Sequence, residues 1–270
     1  MKTRAITGIF FVAVMLGSFF AGSTIFSIFY GLLALLCLQE FYGLLKKAGL
    51  EPNLPLGLLN GVYIYAAFAA SFYLDTALIH KIIFLMVLPL TAVFIHELYK
   101  ESATPFANIG YTFLGLILAV IPFTFFHTLG FVTNAGFNFH IPMAFLLMLW
   151  ANDTGAYLVG RQFGRAKLFE RHSPKKTWEG FIGGIVIAGI VGYIISIYFT
   201  ELPWRNWVSI GVIIGIVGTT GDLVESMFKR SLSIKDSGGL LPGHGGLLDR
   251  FDGLLLSAPI VFVYLYLIFN

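Results

Sequence analysis

Apolar residues in this chain do not alternate with polar ones; they come in blocks of about 20, parted by short polar joins. A helical block of that length spans a hydrocarbon core of about 30 Å. The pattern predicts helices near residues 5–21, 25–45, 57–74, 79–98, 109–129, 141–160, 179–199, 207–227 and 253–269. The joins include KKAGLEPNLP at 46–55, KESATPF at 100–106, and two longer charged stretches at 161–178 and 228–252. The expected fold class is an all-α polytopic integral membrane protein with about nine transmembrane helices. The opening MKTRAITGIFFVAVMLGSFFAGS has the basic tip and apolar core of a signal peptide. Because similar blocks follow it, it is expected to be a retained span.

Composition agrees. The chain is 57% hydrophobic and only 11% charged, against roughly 25% charged in soluble domains. The single cysteine, Cys37, lies inside an apolar block, which excludes an intrachain disulfide and a cysteine-based zinc cluster. Orientation follows from the Lys and Arg residues in alternate joins. With the N-terminus inside, fifteen fall on one side and only Lys81 and Arg205 on the other. Both long charged stretches are therefore expected at the cytoplasmic face. Gly180, Gly184, Ala188 and Gly192 recur every fourth residue, and Gly211, Gly215, Gly218 and Gly221 form a similar stripe. In lipid, small residues so spaced let backbones approach closely.

Three polar segments break the apolar pattern. In WANDTGAYLVGRQFG, Asn152 and Asp153 fall within a predicted span. An acid there costs at least about 2.5–3.5 kcal/mol on insertion scales, so it marks a functional site or a structural partner for a residue such as Arg161. In RHSPKKTWEG, Ser173 followed by Pro174 predicts a helix N-cap with proline at the first position. Free N–H groups at that start, with Lys175 and Lys176 beside them, would suit an anion. In GDLVESMFKR, residues Asp222, Glu225, Ser226 and Lys229 share one helix face.

The chain then runs through Lys235, Asp236, a Gly-Gly pair, Pro242 and His244-Gly245-Gly246 to Asp249, Arg250 and Asp252. Acids at both ends of a basic, glycine-rich loop suggest a metal–phosphate site. Carboxylates can hold Mg²⁺, whose other ligands are water and phosphate oxygens. Lys, Arg and backbone N–H groups neutralise the remaining phosphate charge. A salt-bridged loop would use the same residue types.

The stretch SMFKRSLSIKDSGGLLPGHGGLLDRFD, Ser226 to Asp252, closely resembles the signature of the phosphatidate cytidylyltransferases, or CDP-diacylglycerol synthases. Ser226, Lys229 and Arg230 fill its start, Lys235 and Asp236 its middle. His244, Gly245, Gly246, Asp249, Arg250 and Asp252 fill its end. NDTGAYLVGRQFGR, SPKKTWEG and GDLVES also resemble this family, so the likeness covers most of the C-terminal half. The N-terminal half, residues 1–140, is similar only in size and hydrophobicity. It is expected to supply lipid-facing and dimerisation helices, and residues 141–270 the catalytic ones.

The resemblance implies a reaction in which CTP and phosphatidic acid give CDP-diacylglycerol and pyrophosphate with Mg²⁺. It also implies a homodimer and a second, monovalent cation such as K⁺. Asp222 and Asp249, then Asp252, become the expected metal ligands. Lys175, Lys176, Lys229, Arg230, Lys235 and Arg250 become the phosphate-holding set, with Ser173, Ser226, Gly245 and Gly246 lining the substrate site. Asn152 and Asp153 bind cytidine, metal or neither. His244 contacts phosphate or orders the Gly-Gly turn, and Asp236 pairs with Lys235. The expected location is a bacterial plasma membrane with the active site facing the cytoplasm, and no nucleic-acid partner.

Two rivals remain in view. A CTP-dependent kinase of a polyprenol or phytol would transfer the γ-phosphoryl group and release CDP. A transporter would also carry intramembrane acids, but here the charges gather at one face. The pair His96-Glu97 starts like a zinc-protease helix, yet Lys100 stands where the second His belongs. Glu40, Asp75, His80, His127 and His140 show no interpretable spacing and are expected to be interfacial or packing residues.

Overall fold

The computed structural model describes residues 2–133, 136–234 and 245–269, with side chains described from Gly8 onward, Ile9 excepted. Every predicted apolar block is mostly helical, the block at 57–74 leaving the helix after Ala70. The elements are α1 (Lys2–Phe20), α2 (Ser23–Lys47), α3 (Leu54–Ala70), α4 (Thr76–Leu85), α5 (Val87–Tyr99) and α6 (Pro105–Gly115). A π-helical turn at Leu116–Val120 leads into α7 (Ile121–Leu129). After it come α8 (His140–Phe163), α9 (Trp178–Tyr198), α10 (Trp204–Ser231) and α11 (Leu248–Phe269). The predicted block at 79–98 is divided at Met86 into α4 and α5, and the block at 109–129 carries the π turn.

Local chemistry sets the ends. Asn53 caps α3, its Oδ1 accepting the Leu56 N–H at 3.1 Å, and Asp75 caps α4 through the Leu78 N–H at 3.0 Å. Lys46 and Lys47 close α2, where cations favour the negative end of the helix dipole.

Among the described residues, six helical runs are long and apolar enough to cross a bilayer: Ser23–Lys47, Thr76–Tyr99, Pro105–Leu129, Trp178–Tyr198, Trp204–Ser231 and Leu248–Phe269. Their outward side chains include Phe84 at 77% exposure and Leu98 at 79%. Contiguous apolar surface of that kind belongs against lipid.

One part of the sequence reading is corrected. Ser173 is not an N-cap. Ser173–Thr177 is a strand, β2, paired antiparallel with β1 (Lys167–Phe169), and α9 starts only at Trp178. The cap is Thr177, whose Oγ1 accepts the Gly180 N–H at 3.2 Å. Glu179 competes for the same segment by accepting the backbone N–H groups of Arg165 (3.0 Å) and Ala166 (3.1 Å). That contact draws the hairpin out of the charged join before the helix can begin.

The described residues form two compact units. Residues 2–128 with 245–248 make the first; residues 129–133, 136–234 and 249–269 make the second. In the first, α2 runs through an aromatic core. The rings of Phe26 and Tyr30 lie 4.9 Å apart, and those of Tyr30 and Phe126 4.7 Å. Tyr42 fits against Gly57 and Gly115, and Tyr65 against Gly31, where a Cβ would strike the ring. The buried His127 meets Ser27 Oγ at 2.7 Å, consistent with a packing role.

In the second unit, backbone packs on backbone. A Cβ on Gly184 would lie 2.9 Å from the Asn152 carbonyl oxygen, one on Gly192 2.5 Å from that of Trp207, and one on Gly211 2.5 Å from that of Ala188. The predicted glycine stripes are thus the seams joining α8, α9 and α10.

Candidate functional site

The second unit gathers polar residues from four elements. Asn152 and Asp153 come from α8, Lys176 from β2, Asp222, Glu225, Ser226 and Lys229 from α10, and Asp249, Arg250 and Asp252 from α11. The α10 residues share a face, as the spacing predicted. Lys229 and Glu225 pair at 2.5 Å across one turn, a geometry that supports the helix itself. Ser226 Oγ donates to Asp222 Oδ1 at 3.4 Å.

Close approach of α10 and α11 brings their acids together. Gly221 lies against the backbone carbonyl of Asp252, so any side chain at 221 would push the helices apart. Lys229 bridges the two helices, reaching Asp249 Oδ1 at 2.6 Å as well as Glu225. Lys176 reaches Asp222 Oδ2 at 2.5 Å. Burial is graded: Glu225, Lys229 and Asp249 side chains are 4%, 13% and 16% exposed, whereas Lys176 and Asp222 are 26% and 36% exposed. An inner, more buried ion triad therefore lies beside an outer, more accessible pair.

Two more carboxylates face this cluster. Asp252 has Asp222, Asp153 and Glu225 as electrostatic neighbours, and its Oδ1 accepts the Gly253 N–H at 2.7 Å. Asp153 has Asp222, Lys176 and Arg250 as charged neighbours. Arg161 is directed elsewhere, its Nη1 lying 3.5 Å from the Tyr157 hydroxyl, so the alternative of an Arg161 partner for Asp153 gains nothing here. Asn152 is buried; its Nδ2 reaches Asp153 Oδ1 at 3.3 Å and Thr219 Oγ1 at 3.4 Å. Its Oδ1 has no hydrogen-bond partner among the described residues, leaving a buried acceptor beside the acids.

The other predicted site residues are distributed more widely. Ser173 and Lys175 sit on β2, where Lys175 is exposed. Arg230 turns to its own loop, donating to the Ile234 carbonyl at 3.3 Å. Gly245, in the left-handed region at φ +85°, and the buried Gly246 belong to the first unit. Lys235, Asp236 and His244 lie outside the described residues.

Sequence reasoning noticed Glu225 only as part of a helix face. Its spacing four residues before Lys229 was the available signal for an ion pair. Thr177 and Glu179 give only a weaker signal in the sequence, where Ser173-Pro174 is the stronger helix-start pattern.

The donor set suits a hard divalent cation: carboxylate oxygens only, with a buried amide oxygen nearby. Among the described residues no three acid, His or Cys side chains are close enough to hold an ion unaided. The acids are instead balanced by lysines. This fits Mg²⁺, which is commonly held by one or two carboxylates with substrate phosphates and water completing the shell.

Comparison with known proteins extends the pattern beyond the charged loop. A relative from Staphylococcus aureus strain COL is 33% identical over 268 residues, covering 98% of this chain and 99% of its own. One from Rickettsia bellii strain RML369-C is 34% identical over 225 residues, covering 81% of this chain and 93% of its own. One from Staphylococcus epidermidis is 31% identical over 98% of this chain and 99% of its own. All three bear the name phosphatidate cytidylyltransferase. The family described as "Cytidylyltransferase family" matches residues 2–268, so the helices of both units and the acid–lysine cluster fall inside the match. With that coverage, the chain belongs to the cytidylyltransferase family.

Proposed function

We propose that this protein is a phosphatidate cytidylyltransferase, joining CTP and phosphatidic acid to give CDP-diacylglycerol and pyrophosphate. The observation that carries the reading is the convergence of acids and bases from the signature and from the two upstream segments that resemble the family: Lys229 between Glu225 and Asp249, and Lys176 on Asp222. The near full-length relatives bearing that name support it.

In the reaction an oxygen of the phosphatidate phosphate forms a bond to the α-phosphorus of CTP. The bond from that phosphorus to the bridging oxygen of the β-phosphate breaks, and pyrophosphate leaves with the electron pair. Such transfers depend chiefly on positioning and charge neutralisation. One or two of the carboxylates Asp222, Asp249 and Asp252 would hold Mg²⁺. The ion, when bound, supplies positive charge against the triphosphate oxygens. Lys176 and Lys229, the cations next to those carboxylates, and the guanidinium fork of Arg250 would hold phosphate oxygens. Lys229, the more buried of the two lysines, neutralises charge in the drier setting, where an electrostatic contact counts for more.

Asn152, with its buried acceptor oxygen, is the residue we assign to the exocyclic amino group of cytosine. The positive-inside pattern supports a cytoplasmic site. Lipid tails would enter between helices, and a homodimer and a second, monovalent cation complete the proposal.

The test uses detergent-purified protein with Mg²⁺, phosphatidic acid and CTP labelled in the cytosine ring. Label entering lipid with equal release of pyrophosphate is the expected result. Release of labelled CDP, tested also with a polyprenol or phytol acceptor, would replace this reading with a lipid kinase. No turnover on either acceptor would overturn both enzymes and favour a transporter.

A further inference from the structure

Glu40 is an acid within α2, one of the helices apolar and long enough to span a bilayer. Its spacing in the sequence suggests nothing, and a bare acid in such a helix is costly. The structure gives it a definite task. Glu40 Oε2 accepts the backbone N–H of Leu247 at 2.6 Å and that of Leu248 at 3.3 Å. Both leucines are buried, at 3% and 2% exposure. Buried N–H groups require acceptors, and Leu248 begins a helix, whose first N–H groups have no partner within the helix. A carboxylate is the best complement to such donors, by charge as well as by hydrogen bonding. The turn it grips is the end of the signature: Gly245 in the left-handed region, the buried Gly246, then Leu247 and Leu248. The next residue in the chain is Asp249.

The geometry points to Glu40 as a positioning residue for the Leu247–Leu248 turn that precedes Asp249, its carboxylate anchoring that turn through two backbone N–H groups. Glu40 touches no reacting atom; it acts through the backbone it holds. Its other oxygen, Oε1, is buried with no hydrogen-bond partner among the described residues, so the carboxylate is committed to the turn through a single oxygen. A neutral amide could supply that one acceptor, whereas a shorter acid would not reach. This assignment rests on the cytidylyltransferase reading for its effect on turnover, but not for the contact itself.

The experiment therefore has two readouts on the full-length protein in detergent. The first is amide hydrogen exchange of peptides covering 245–250 by mass spectrometry; the second is steady-state cytidylyl transfer. In Glu40→Ala, exchange at 245–248 is expected to rise about tenfold or more as the turn opens. The kcat should fall about 10–100-fold, the scale of a misplacement near 1 Å, while KM for CTP changes less than about threefold. Glu40→Gln, which keeps the acceptor, should recover to within about fivefold of the parent, and Glu40→Asp should resemble Glu40→Ala. If Glu40→Ala does not assemble, Glu40→Asp and Glu40→Gln supply the same contrast. Unchanged exchange at 245–248 in the Ala or Asp variants would overturn the anchor. So would an unchanged kcat in those variants, or a Gln variant as slow as the Ala one. Absence of transfer in the parent protein would instead count against the proposed function and leave the exchange result to decide the anchor.

Discussion

The two units hold their helices together by different means. In the first, large rings fill notches left by glycine: Tyr42 against Gly57 and Gly115, Tyr65 against Gly31, around the stack of Phe26, Tyr30 and Phe126. In the second, glycines of α9 and α10 lie directly on the carbonyls of Asn152, Ala188 and Trp207. Lipid tails offer little hydrophobic drive for helix association, so close packing and polar contacts must supply it. A ring-in-notch seam spaces helices by side chains and leaves little room for charge. Backbone-on-backbone contact brings helix ends close enough for Lys229 of α10 to reach Asp249 of α11, and Lys176 to reach Asp222. It also fixes the main chain beside the acids, since Gly221 precedes Asp222 and Asp252 precedes Gly253. The charged cluster stands beside these close backbone contacts.

The largest effect should separate the units by chemistry. Asp249→Asn removes one carboxylate from the inner triad without changing its shape. We expect kcat for cytidylyl transfer to fall about 10²–10³-fold, the scale seen when one preorganised electrostatic group is lost. Phe126→Ala in the first unit should cost about 3–5 kcal/mol in stability with kcat of the folded fraction largely retained. Comparing turnover per folded molecule, by thermal unfolding and label transfer together, checks the pair. Equal kcat losses in both would erase the distinction.

Next comes burial within the second unit. Lys229→Met removes the cation that contacts both Glu225 and Asp249, whose side chains are only 4% and 16% exposed. Breaking a buried pair in this way costs about 3–5 kcal/mol. Lys176→Met removes the partner of the more open Asp222, where an ion pair contributes about 1 kcal/mol or less. The expected result is a marked loss of thermal stability in the first variant and a small one in the second, although both lower turnover.

The seams themselves give the third contrast. A Cβ at Gly57 would meet the Tyr42 ring at 2.5 Å, and one at Gly211 the Ala188 carbonyl oxygen at the same distance. A ring can tilt, giving up its 2.6 Å bond to the Thr112 carbonyl, worth about 1 kcal/mol. A helix carbonyl cannot move without its helix. Gly57→Ala should therefore cost about 1–2 kcal/mol, and Gly211→Ala about 3 kcal/mol, near the top of the usual range for overpacking. Unfolding in detergent would rank them.

These contrasts also mark where sequence reading succeeds. Helix positions were legible because a run of about 20 apolar residues has few other outcomes in lipid. The glycine stripes were legible because a four-residue period maps onto one helix face. The shared face of Asp222, Glu225, Ser226 and Lys229 followed from the same rule. What failed was competition between similar local signals: Ser173-Pro174 and Thr177 both resemble helix starts, and only the backbone contacts of Glu179 decide between them. What stayed hidden was long-range pairing. Glu40 and Leu247 are 207 residues apart, and no periodicity connects a carboxylate to a backbone N–H at that distance. The break at Met86 lies one turn before Pro89, which has no N–H to offer the Leu85 carbonyl, so a local signal stands in the sequence there.

The smallest effect concerns an ion pair in the second unit that lies away from the acid–lysine cluster and outside the apolar spans. Glu201 follows α9, accepts from Asn138 Nδ2 at 2.9 Å and pairs with His140 Nδ1. The His140 ring stacks on Phe199 with centroids 4.0 Å apart. Partial burial works against the Glu201 charge, but the hydrogen bonds from Asn138 and His140 outweigh it and hold its carboxyl below the usual glutamate range. A depressed value in the folded state means that the unfolded chain takes up the proton first as pH falls. The contribution of Glu201 to stability is therefore complete above its ordinary value of 4.5 and is lost as pH drops through the lower folded value. Because both side chains are partly exposed, the amount should be about 1 kcal/mol or less. Unfolding curves of the parent and Glu201→Gln should stand apart above pH 4.5 and draw together as pH falls below it. A constant gap across that window would show that Glu201 holds the loop through its hydrogen bonds alone, and would leave the lysine–acid cluster as the place in this unit where charge governs stability.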